Sequence, residues 1–163
     1  MSQSMHSKTI VITGASTGIG RACALHLDKL GFQVIAGIRT ETDAASLQQA
    51  SSDRLTTVHI DIAKSDSILR ATNIIETQLK SVGLYGLINN AGIVIAGPLE
   101  FVPIDALRSQ LEINVVGHIA ITQALLPLLR QAKGRIINMS SVSGRVATPF
   151  LGPYAASKFA LEA

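Results

Sequence analysis

Apolar positions along this chain fall into two alternating rhythms. Residues 9–13 (TIVIT) form a short β-branched run, the mark of a buried strand. Glycine-rich sequence follows, then a helical stretch to Leu30 with Gly31 as its C-cap. Residues 33–38 predict a second strand, and 42–50 a short helix with Thr42 as N-cap. Residues 55–60 predict a third strand. Ser65 caps the next helix, and Asp66 lies in its first turn, where the helix dipole favours an anion. Ile68, Ala71, Ile75, Leu79 and Val82 repeat at helical spacing and predict a buried stripe.

The same rhythm continues to the end of the chain. Residues 84–89 predict a fourth strand, and a loop with Gly97, Pro98 and Pro103 leads into a long helix. Leu107, Leu111, Val115, His118, Thr122, Leu125 and Leu129 share one face of it, and its neighbouring faces are also apolar, so cover on most sides is expected. Gly134 ends that helix, 135–140 predict a fifth strand, and a last helix begins near Tyr154. Five β-α units with short connections predict one α/β domain over 1–163. Its strands form a doubly wound parallel sheet with helices on both faces. Ligands of such sheets bind beyond the carboxyl ends of the strands.

Composition narrows the classes. Apolar residues make up 47% of the chain and charged residues 15%, which excludes a disordered chain. The net charge is +3, the basic residues are scattered, Trp is absent and aromatics are 4%; nucleic acid has no footprint here. The single cysteine, Cys23, reads as a small core residue, and no Cys/His cluster has zinc spacing. A reducing, cytoplasmic setting is expected. Residues 1–7 are polar and read as no secretory leader. The greasy stretch 113–129 carries Asn114, His118, Thr122, Gln123 and Pro127, so no membrane span is expected. His118 reads as an interior or interface histidine rather than a catalyst.

Candidate chemistry lies just after the predicted strands. Gly14, Gly18 and Gly20 separate the first strand from the first helix, where a tight turn and free N–H groups suit a pyrophosphate. The second strand ends at Ile38-Arg39 with no carboxylate. Arg39 there suits a 2′-phosphate, hence NADP over NAD, or else stacks on adenine without strong selection. Asp61, after the third strand, suits the adenine amino group or simply leads into the next helix. Asn90 in 89–92 (NNAG) can tie neighbouring loops together. Tyr154 and Lys158, four residues apart, share a helix face. A free tyrosine titrates near 10, and a nearby ammonium favours the phenolate that can exchange a proton with a substrate oxygen. Ser141 precedes Tyr154 by 13 residues and offers a hydroxyl to the same oxygen.

TGASTGIG (13–20), HID (59–61), NNAG (89–92), Asn114 in LEINVVG, INMSS (137–141) and YAASK (154–158) occur in order and span nearly the whole chain. In these the sequence resembles the short-chain dehydrogenase/reductase family. Phrases such as GLYGLINNAGI (83–93) and SSVSGRV (140–146) look most like its retinol- and hydroxysteroid-dehydrogenase branch. The resemblance implies a Rossmann fold of strand order 3-2-1-4-5. It makes Tyr154 the acid/base, Ser141 the residue that orients the substrate oxygen, Lys158 the partner of Tyr154 and of the nicotinamide ribose, and Asn114 the holder of a relay water. The implied cofactor-binding set is Gly14, Ser16, Thr17, Gly18, Ile19, Gly20, Arg39, Asp61, Ile62, Asn90, Ala91 and Gly92, together with Tyr154 and Lys158. The expected function is NAD(P)-dependent interconversion of an alcohol and its carbonyl, without a metal, on a small molecule. Val146 and Phe150 in the loop 142–152 suit a hydrophobic substrate, or else pack in the core. The family fold continues past its Tyr-Lys pair with two more strands, whereas this chain stops at Ala163. A homo-oligomer is expected for a complete chain. The other reading is a silent dinucleotide-binding or dimerising module.

Overall fold

The computed structural model describes residues 8–163. The polar segment 1–7, read above as no leader, lies outside the described residues. Strand β1 (Thr9–Ile12) is buried at every position and lies at the centre of a five-stranded sheet of order β3-β2-β1-β4-β5. Its partners are β2 (Gln33–Ile38) and β4 (Gly86–Asn89), with Ile10 level with Val34 on one side and with Gly86 on the other. β3 (Leu55–His59) pairs with the outer side of β2, and β5 (Arg135–Asn138) with the outer side of β4. All pairings are parallel, as βαβ crossovers require. This is the Rossmann-like architecture that the alternating pattern predicts.

Alternation within each strand divides the core in two. Val11, Ile35 and Leu87 face α3 (Ser65–Leu79) and α5 (Gly117–Ala132), meeting Ile68, Ile75, Ile121 and Leu125. Ile10, Ile12, Val34 and Ile88 face the other way, toward α1 (Gly18–Lys29) and α2 (Glu41–Gln49), meeting Ala24, Ala44 and Leu47. Each fully buried Ile or Leu contributes about 1.5–3 kcal/mol of transfer free energy. Cys23 is half-buried and packs against this second cluster.

Several local expectations are corrected. α2 is capped by Thr40, whose hydroxyl accepts the Asp43 N–H at 3.1 Å, not by Thr42, which lies inside the helix. Ser65 is already in helical conformation, and the cap position is Lys64. Val82 lies beyond the end of α3 and is 54% exposed, so the buried stripe stops at Leu79. Gly31, with φ +91°, follows the C-cap Leu30. Lys133, at φ +51°, turns the chain out of α5 one residue before Gly134.

The long helix runs from Ile104 to Ala132, comprising α4 (Ile104–Leu111), a π-helical turn (Glu112–Val116) and α5. By length and composition alone it could cross a bilayer. Here Ile121, Leu125, Leu128 and Leu129 are buried against the sheet, while Val116 and Ile119 are exposed. The expected cover on most sides is therefore corrected to cover on one face. α6 (Gly152–Glu162) closes the described chain and packs on the short 3-10 turn Val142–Gly144 after β5.

Candidate active site

Where β1 ends, Thr13 is fully buried and its hydroxyl accepts the N–H groups of Asn90 and Ala91, both at 3.1 Å. Asn90 answers with its side-chain amide, donating to the carbonyls of Thr13 and Gly14 at 3.0 Å each. The ends of β1 and β4 are thus stitched together by four hydrogen bonds. Gly14 has φ +66°, and a Cβ there would stand 2.8 Å from Ala91 Cα. Only glycine fits such a position. A Cβ on Gly20 would collide with the Gly14 carbonyl and the Asn90 amide, so α1 presses directly on the stitch.

A cleft of about 310 Å³ opens at this seam. Of the residues expected to bind a cofactor, Gly14, Ser16, Thr17, Ile19, Gly20, Arg39, Asp61, Ile62, Asn90, Ala91 and Gly92 line it. Gly18, Tyr154 and Lys158 do not. Thr17, at the start of α1, makes no side-chain cap. The first N–H groups of that helix therefore meet the cleft with the positive end of the helix dipole. Arg39 is exposed at the rim, and its carbonyl accepts from His59 Nε2 at 3.0 Å. Asp61 accepts the Ala63 N–H at 3.1 Å and lies 3.6 Å from Lys64, so it both lines the cleft and shapes the start of α3.

The sequence did not single out the stitching residue Thr13 or the cleft-lining Gly37, Ile38, Ile60, Ile93 and Ile113, although Thr13, Ile38 and Ile60 directly precede Gly14, Arg39 and Asp61. Their signal was position alone, at or beside a strand end.

Beyond the end of β5, Ser141 opens the 3-10 turn and Tyr154 and Lys158 lie on α6, which packs against that turn. Ser141 accepts the Ser143 N–H at 3.1 Å and caps the 3-10 turn. Gly144 in that turn is wedged so tightly that a Cβ would lie 3.1 Å from the Lys158 carbonyl. Lys158 is buried, its Nζ donates to the Met139 carbonyl at 2.6 Å, and it stands 5.7 Å from the centre of the Tyr154 ring. Burial pushes the Lys158 ammonium below its ordinary value.

Asn114 joins the two regions. Fully buried in the π turn, it accepts the Ile93 N–H at 2.9 Å, donates to the Ile93 carbonyl at 2.9 Å and donates to Ser157 Oγ at 3.0 Å. One amide thus ties the cleft wall to the helix of Tyr154 and Lys158. His118 is also buried, and its Nε2 lies 2.7 Å from the Ala91 carbonyl. That oxygen can only accept, so Nε2 carries the proton and Nδ1 is bare; Nδ1 has no partner among the described residues. Burial, with Lys158 adding to it against the bond to Ala91, lowers His118 to about 4.

A glycine-rich turn against an uncapped helix N-terminus stands at the carboxyl edge of a parallel sheet of order β3-β2-β1-β4-β5, the edge at which sheets of this Rossmann-like class take their ligands. The family model described as short chain dehydrogenase matches residues 8–163, and the chain belongs to that family. It is 45% identical over 155 residues to "Retinol dehydrogenase 5" of Mus musculus, covering 94% of this chain and 48% of that protein. It is 42% identical over 161 residues to "17-beta-hydroxysteroid dehydrogenase type 6" of Bos taurus, covering 98% and 50%. The crystal structure of a short-chain dehydrogenase from Streptomyces avermitilis superposes with a TM-score of 0.90 at 31% identity, covering 99% of this chain and 58% of that one. The chain spans about half the length of the curated relatives it matches.

Proposed function

We propose that the protein is an NAD(P)-dependent oxidoreductase that interconverts a hydrophobic alcohol and its carbonyl compound. The observation that carries this reading is the cleft where the uncapped N-terminus of α1 and the Gly14 turn face Ala91 and Gly92. A cradle in which a Cβ at Gly14 has no room, beside a Gly18 where a Cβ would point into open space, fits a pyrophosphate closely approached by backbone. A bound nicotinamide dinucleotide supplies the hydride donor or acceptor.

The chain's own residues do the rest in this proposal. Tyr154 exchanges a proton with the substrate oxygen through its hydroxyl, and Ser141 hydrogen-bonds the same oxygen. Lys158 sets a positive charge beside the Tyr154 ring and keeps N–H donors free for a ribose, since its bond to Met139 uses only one of three. Asn114, whose side chain is committed to Ile93 and Ser157, holds the cofactor wall and the helix of Tyr154 and Lys158 in one frame. Val142, Val146 and Phe150 are exposed on the loop before α6, and Leu99 and Phe101 on the loop before α4. The two loops meet where the Gly97 N–H donates to the Phe150 carbonyl at 2.7 Å. Such an apolar rim favours a retinoid- or steroid-like substrate, in keeping with the names of the two relatives.

Tyr154→Phe is expected to lower kcat by about 10²–10⁴-fold with dinucleotide affinity nearly unchanged. Retention of more than a tenth of wild-type turnover on a panel of retinoid, steroid and short-chain alcohols would overturn the assignment. Dinucleotide binding without turnover in the wild type would favour the silent module instead. Arg39, the one Lys or Arg lining the cleft among the described residues, favours NADP in this reading. Arg39→Ala is expected to weaken NADP binding about tenfold more than NAD binding. Equal losses in paired titrations would leave Arg39 as an adenine-stacking group and remove the NADP preference.

A further inference from the structure

Three buried polar side chains stand four residues apart on the long helix: Gln110, Asn114 and His118. They grip alternate residues of the chain that leaves β4. Gln110 Oε1 accepts the Ile95 N–H, Asn114 binds both backbone groups of Ile93, and His118 donates to the Ala91 carbonyl. Between 91 and 95 the odd residues are half-buried and the even ones exposed, as in an extended strand, although no strand among the described residues pairs with this segment. The match is metric. Four residues of helix rise about 6 Å, and two residues of extended chain about 6.6 Å. In an unbroken α-helix, residues at this spacing would also drift about 40° around the axis at each step. The π turn Glu112–Val116, centred on Asn114, unwinds the helix at that point and offsets the drift. Gln110 Nε2 and His118 Nδ1 are buried without a partner among the described residues, a cost that apolar side chains filling the same space would not carry.

We propose that Gln110 and His118 are positioning residues, the outer two clamps of a helix-borne polar ladder that holds residues 91–95 as a one-sided strand and so sets the wall of the dinucleotide cleft. The proposal rests on the reading of that cleft as a dinucleotide site. Asn114 is the middle rung. Loss of an outer rung leaves the sheet intact and frees one end of the segment.

The test uses volume-conserving variants of the purified protein: Gln110→Met, His118→Leu, and His118→Gln, whose amide nitrogen can stand where Nε2 stands. Site-resolved amide exchange and titration with NADP and NAD are read for each. Gln110→Met is expected to speed exchange of the Ile95 amide about tenfold or more, with the β1 and β4 amides unchanged. Gln110→Met and His118→Leu are each expected to raise the dinucleotide Kd about three- to tenfold, the effect of one lost backbone bond. His118→Gln is expected to restore wild-type affinity. Unchanged exchange at Ile93 and Ile95 in Gln110→Met and His118→Leu would overturn the ladder. So would unchanged Kd in both, or His118→Gln behaving as His118→Leu. If the wild type binds neither dinucleotide, the reading of the cleft fails. The exchange of Ile93 and Ile95 then still decides whether the rungs hold the segment.

Discussion

His118 shows how one residue can be half satisfied and still specified. Its proton is committed to Ala91 and its other nitrogen is buried bare, so charging the ring inside the fold is costly. The native group titrates at about 4, whereas in the unfolded chain it returns to roughly 6.5. Between those values the unfolded state binds a proton that the native state does not. Stability therefore falls as pH drops from about 6.5 to about 4, by about 3 kcal/mol in all. His118→Gln has nothing to titrate, so between pH 7 and 4.5 it is expected to lose about 2 kcal/mol less than the wild type. Urea midpoints at the two pH values measure this. Equal losses would show that His118 is charged in the native state.

At the scale of elements, the long helix departs most from a simple periodic reading. Its apolar stripe was legible at Leu125 and Leu129, which are buried as their spacing implies. The π turn was not legible, because an extra residue in one turn leaves the composition of the stripe unchanged. Yet the turn brings Asn114 against both Ile93 and Ser157. The start of α2 teaches a similar lesson. Thr40 and Thr42 carry the same cap chemistry, and only the direction in which the chain leaves β2 selects Thr40, whose backbone is extended where a cap must be. Strand ends were read one or two residues long at Thr13, Ile60 and Ser140. Those residues lie past the last paired positions, although the Thr13 and Ile60 N–H groups still donate to the Ile88 and Ile38 carbonyls, and Thr13 spends its hydroxyl on the stitch to Asn90 and Ala91.

For the whole molecule, the decisive feature is the sheet edge at β5. Its inner side pairs with β4, and no described strand pairs with its outer side. Ile136 and Ile137 are 42% and 51% exposed, on opposite faces of the sheet. An uncovered apolar edge strand templates association. A polypeptide of these 163 residues is therefore expected to self-associate as its concentration rises. Ile137→Lys is expected to shift it toward monomer on size exclusion, since a charge on an edge strand opposes pairing. A wild-type polypeptide that stays monomeric at high concentration and unfolds cooperatively would refute this.

The chain's own pattern determined the elements, their alternation and the parallel sheet, because these rest on short-range rules of period, capping and turn chemistry. It also marked the glycine turn and Asn90, since a phosphate-accepting turn can be built from very few residue types. Strand order was reached only through resemblance, and pairing geometry established it. Tertiary structure alone decided which polar groups meet across the fold: Thr13 with Asn90 and Ala91, Asn114 with Ser157, Gln110 with Ile95. These contacts join residues 15 to 78 positions apart. No local period records such a distance, and each bond forms only because the burial of apolar neighbours has already brought its partners together.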